Sequence, residues 1–144
     1  MKLIIDNISN EIKEYLETQE GINKVEIKNK DLTEEINIEY DKRTTSKIIL
    51  KYIELFNGNN FVELLGFDKE TKGEYNTLKY NIEDMCCEYC YKGLVQDLYN
   101  NKYIKSVKSN FDFNKPAYNI NFEIEYDKMY GEEELIDYIK DNYS

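Results

Sequence analysis

A chain of 144 residues suffices for one ordinary domain or two very small ones. With 41% apolar residues it can build a core, which excludes disorder by composition. A formal net charge of −10 excludes the basic stripe a nucleic-acid binder needs, and no run of about 18 apolar residues offers a membrane span.

In chain order, Lys2–Ile5 reads as a strand and Ser9–Gln19 as a helix with apolar residues at helical spacing. Lys24–Lys28 and Glu35–Tyr40 read as strands around a turn rich in polar residues, and Thr45–Phe56 as a second helix. Phe61–Phe67 is a further apolar strand. Thr77–Ile82, Tyr91–Asn100, Ile104–Ser109, Tyr118–Tyr126 and Gly131–Asn142 then run strand, helix, strand, strand, helix. In the long strand, Tyr118, Ile120, Phe122, Ile124 and Tyr126 alternate onto one face. The runs Glu34-Glu35 and Glu132–Glu134 read as solvated faces and helix starts, where negative charge is favoured.

The second half repeats the first. Ile38-Glu39-Tyr40-Asp41-Lys42 recurs as Ile124-Glu125-Tyr126-Asp127-Lys128, an offset of 86, and Ile49, Leu50 and Ile53 recur as Leu135, Ile136 and Ile139. Upstream, Ile12 and Leu16 correspond to Leu94 and Leu98 at an offset of 82, so the second copy carries four more residues around Phe113–Pro116. A shared pentapeptide flanked by two helix patterns in register marks a duplication. The expected class is α+β: two tandem ferredoxin-like (βαββαβ) sandwiches, residues 1–68 and 74–144. The second lacks a fourth strand of its own. Residues 61–67, apolar on both sides, are the candidate for a strand shared by both copies, against two independent beads joined near Asp68–Tyr75.

All three cysteines fall in Met85-Cys86-Cys87-Glu88-Tyr89-Cys90, between the second copy's first strand and first helix. An odd, clustered set suits thiol chemistry better than a disulfide framework. Thiols at i and i+3 across a loop-to-helix junction converge, and the free N–H groups of the helix start favour thiolate. Thiolates select soft ions. Two sulfurs with no histidine leave a closed tetrahedral zinc site incomplete. Cu(I), content with two or three sulfurs, fits best, with Zn or another thiophilic ion as competitor. Cys87 and Cys90 are the expected ligands, and Cys86 is a candidate third. Glu83, Asp84 and Glu88 oppose a negative dithiolate, an imbalance that Lys92 or Lys128 is placed in sequence to offset.

Strand, Met-x-Cys-x-x-Cys, helix, strand, strand, helix resembles the heavy-metal-associated domain of copper chaperones and of the amino-terminal modules of metal-transporting P-type ATPases. The resemblance covers Thr77–Ser144 by motif and Met1–Phe67 by fold pattern. It implies that Cys87 and Cys90 bind the metal, that Met85 turns inward to brace the loop, and that Lys128 and Tyr130 approach the site. Its departures are Asp84 where the family usually has glycine, no strand after Tyr143-Ser144, and Ile5 and Ile8 at the first copy's cysteine positions.

The function expected is binding and delivery of Cu(I) by a protein of the cytoplasm. Its partner is a metal donor or acceptor such as a metal-transporting ATPase, without nucleic acid or a membrane span. Location is inferred from Met1–Asn10, which lacks a basic start followed by a long apolar run. No enzyme is expected, since the common histidine-based triads cannot be assembled. The alternative is a redox-sensing or interaction module with a reactive Cys-x-x-Cys, although Glu88-Tyr89 between the cysteines is not the usual thioredoxin-type Gly-Pro.

Overall fold

The structure is a computed structural model describing residues 1–6, 8–30, 33–58, 62–83, 85, 88–111 and 119–143. Seven strands and four helices lie among the described residues, so the chain is of mixed α and β composition. It divides into two compact units, Met1–Lys69 and Glu70–Ser144.

In the first unit the order is β1 (Lys2–Asp6), α1 (Ile12–Glu17), β2 (Ile22–Lys30), β3 (Thr33–Tyr40), α2 (Ser46–Phe56) and β4 (Leu64–Asp68). All neighbours are antiparallel: β2 pairs with β3, β3 with β1, and β1 with β4. Leu3 on β1 and Val25 on β2 join Ile36 and Ile38 on β3 in the core with Ile12 and Leu16 of α1 and Ile49, Leu50 and Ile53 of α2. This is the spacing that puts an apolar stripe on each element. The helices meet at Tyr15 and Phe56, whose ring centroids are 5.3 Å apart.

Two local details set the ends of these elements. Helix α2 starts where Thr45 caps it, its side chain accepting from the Ile48 backbone N–H at 3.2 Å. Helix α1 starts later than the expected Ser9, because residues 9–11 form a turn closed by Ile12 N donating to Ser9 O, and the Glu11 side chain at the N-cap position makes no capping bond. The strand expected over 61–67 is β4. It starts at Leu64 and is buried on both faces from Leu64 through Phe67, with Phe61 outside the described residues. Sharing of that strand between the copies stays an expectation of the sequence.

In the second unit the order is β5 (Tyr75–Ile82), α3 (Glu88–Asn100), β6 (Ile104–Ser109), β7 (Ile120–Asp127) and α4 (Glu132–Tyr143). Central β7 pairs antiparallel with β5 from Ile82↔Ile120 to Tyr75↔Asp127, and with β6 on its other side. Its alternation is the one expected: Ile120, Phe122, Ile124 and Tyr126 are buried and Asn121 and Glu123 exposed. Leu94, Val95 and Leu98 of α3 and Leu135 and Ile139 of α4 complete the core. The two helices are tied by the Tyr138 and Tyr143 hydroxyls, both donating to the Asp97 carboxylate.

Candidate thiol site

Strand β5 ends at the buried Ile82, and the chain reaches α3 at Glu88, six residues later. Within that crossing Met85 is 1% exposed, so its thioether lies in the core beneath the turn. Cys90 occupies the first turn of α3 and is partly buried. It is disulfide-bonded. The only other cysteines in the sequence are Cys86 and Cys87, and both lie outside the described residues, as does Asp84.

A charged pair flanks Cys90 in sequence. The Lys92 side chain is 2% exposed, and its ammonium lies 2.7 Å from the Glu88 carboxylate one turn earlier in α3. It also faces the Tyr89 ring, 5.9 Å from the centroid. Of the acidic residues that the sequence sets around the thiols, Glu88 is therefore neutralised locally. Burying a lysine is costly unless it is paired, which is why the i, i+4 partner matters here. Tyr89, between the cysteine positions, is 74% exposed.

The residue after Cys90 belongs to an aromatic cluster. The Tyr91 ring stacks on Phe111 with centroids 4.2 Å apart and lies 5.6 Å from Phe122. Its hydroxyl shares a 2.5 Å hydrogen bond with Ser109. Burial raises the Tyr91 hydroxyl to about 12, with the Ser109 bond acting the other way. Sequence reasoning missed this cluster and the full burial of Lys92. The available signals were the Glu88/Lys92 spacing and the hairpin that returns Phe111 and Ser109 to the cysteine end of β5.

Lys128 and Tyr130 are not brought to this end. The β5–β7 register puts Ile82 beside Ile120 and Tyr75 beside Asp127, so the turn after Asp127 lies a strand length away, about 23 Å at strand rise. There Lys128 pairs with Glu74 at 3.4 Å, and Tyr130 stacks on Tyr103 at 5.0 Å. The reason is directional: an antiparallel strand that enters beside the end of β5 must leave beside its start.

In the first unit, Ile5 lies within β1 and is buried, while Ile8 is partly buried in the following turn. Counting back from the matched Leu16 and Leu98, α1 lacks the opening residues that carry Glu88–Gly93 in α3. Among the described residues, no group of three or more cysteine, histidine or acidic side chains is arranged to hold a metal. No described helix is long and apolar enough to cross a membrane. No family model matches the chain, nor does any curated protein or solved structure.

Proposed function

We propose that the chain is a tandem heavy-metal-associated protein in which the reduced Cys87 and Cys90 thiolates hold one Cu(I) and pass it to a partner by ligand exchange. The observation that carries this reading is the position of Cys90 in the first turn of a 13-residue helix, three residues after Cys87. Backbone N–H groups and the helix dipole favour thiolate there. Lys92 is already paired with Glu88, so the carboxylate that the sequence sets beside Cys90 is compensated locally and does not oppose a dithiolate complex.

The fold supports the same reading. The first unit's order β1-α1-β2-β3-α2-β4, with β1 between β3 and β4, supports reading it as a split βαβ sandwich. The second unit repeats it through α4, with β7 in the place of β3. Zn or another thiophilic ion is the competing cargo. A metal-transporting ATPase is the class of partner proposed, and the exposed Tyr89 ring at the thiol turn suits such a docking contact.

The disulfide also favours a second reading, a thiol–disulfide sensor. Anaerobic Cu(I) titration of the reduced protein against a competing chelator separates the two. The metal reading expects one tightly held ion per chain, lost in Cys87→Ser and in Cys90→Ser. Weak uptake with a well-defined disulfide potential would favour the sensor.

A further inference from the structure

The face of the second unit's sheet opposite its buried residues has a pattern that thiol chemistry does not use. Across the three strands, Asn81 on β5 stands opposite Asn121 on β7, and Lys79 stands opposite Glu123, which faces Lys108 on β6. These five residues are exposed. A hollow of about 460 Å³ lies over the two rows and is also bordered by Ser109 and Asn110.

The carboxamides there are oriented. Asn81 Nδ2 donates to Asn119 Oδ1 at 2.5 Å and to Asn121 Oδ1 at 2.7 Å, and the Asn121 backbone N–H donates to Asn110 Oδ1 at 2.9 Å. Three amide oxygens are thereby consumed, which leaves the NH₂ groups of Asn110, Asn119 and Asn121 as donors. Glu123 stands in register between Lys79 and Lys108, yet neither ammonium forms an ion pair with it. In a chain of net charge −10, this hollow is bordered by two uncompensated ammonium groups and the amide donors of Asn110 and Asn121 against one carboxylate.

The geometry points to a binding site for a small oxyanion, a carboxylate or a phosphate, held between Lys79 and Lys108 and hydrogen-bonded by Asn110 and Asn121. Ammonium groups supply charge-assisted bonds and the amide row fixes the ligand's orientation. Glu123 opposes the ligand and limits its affinity. The site rests on the sheet face alone and is independent of metal binding.

The test is an NMR titration of the full reduced chain at constant ionic strength with inorganic phosphate, citrate and, as control, chloride. Saturable shifts of the Asn110 and Asn121 side-chain amide signals are expected with phosphate, citrate or both, and the tighter of the two identifies the class. Lys79→Gln and Lys108→Gln should each weaken binding about threefold or more, and Glu123→Gln should strengthen it by a similar factor. Lys105→Gln, on the same strand but engaged with Glu125, should change little. Anaerobic Cu(I) uptake of each variant should match that of the parent, which shows that the unit still folds. The inference is overturned by non-saturating shifts, by equal shifts with chloride, by indifference to both lysine substitutions, or by weaker binding in Glu123→Gln.

Discussion

The Lys92 ammonium is buried in the first turns of α3, 2.7 Å from the Glu88 carboxylate, and the two residues bracket Cys90 in sequence. A lysine withdrawn from water depends on its charged contacts. Glu88→Ala is therefore expected to cost about 1–3 kcal/mol, measured by urea denaturation of the reduced protein. Lys92→Met, which fills the same space without charge, should restore much of that loss in the double variant, and Lys92→Met alone, which leaves Glu88 uncompensated, should lower Cu(I) affinity. An unchanged affinity in Lys92→Met would show that the ammonium serves packing alone.

The three cysteines are not equivalent in the proposed site. Cys86→Ser should retain most of the tight Cu(I) uptake, and the double variant Cys87→Ser, Cys90→Ser should lose it. The chelator competition described above reads both. Tight binding that survives the double variant would remove Cys87 and Cys90 as the ligands. A second tightly bound ion would contradict the first unit's lack of cysteine.

Stability should pass through a maximum in alkaline solution, because two buried groups act with opposite sign. Burial lowers Lys69 from 10.5 to about 8, so between those values the unfolded chain holds a proton that the folded chain does not. Stability then rises with pH across that window. Burial raises Tyr91 from 10 to about 12, so above 10 the folded chain keeps a proton the unfolded one loses, and stability falls as pH climbs. Each slope is at most about 1.4 kcal/mol per pH unit. Lys69→Met should flatten the rising limb and Tyr91→Phe should soften the falling one, which urea midpoints across pH 8 to 12 would reveal.

Two glycines should respond to alanine with opposite signs. Gly21 has φ +86°, and a β-carbon there would stand 2.8 Å from the Thr44 side chain. Gly21→Ala is expected to cost about 1–3 kcal/mol. Gly93 lies inside α3 with its nearest such contact at 3.9 Å, so Gly93→Ala should stabilise by about 0.5–1 kcal/mol. Thermal denaturation of the two variants beside the parent is the measurement.

The sequence by itself determined what local periodicity encodes. The order of strands and helices, the alternation Ile120, Phe122, Ile124, Tyr126 and the extent of β6 all follow from which residues recur at two or at three to four positions. The placement of Cys90 at a helix start was legible for the same reason. Ends were less so: the turn at residues 9–11 shortens α1 through a hydrogen bond to Ser9 that no spacing announces. Only the tertiary structure decided which residues share an end of the sheet. Antiparallel register carries Lys128 and Tyr130 away from the end where β5 gives way to α3 and brings Phe111 and Ser109 against Tyr91 of that helix. It also aligns Lys79, Glu123 and Lys108 in one row, although they lie up to 44 residues apart in the chain. Strand pairing is non-local, so it sets the neighbours of a side chain by direction and register, which the hydrophobic pattern of a single strand does not contain.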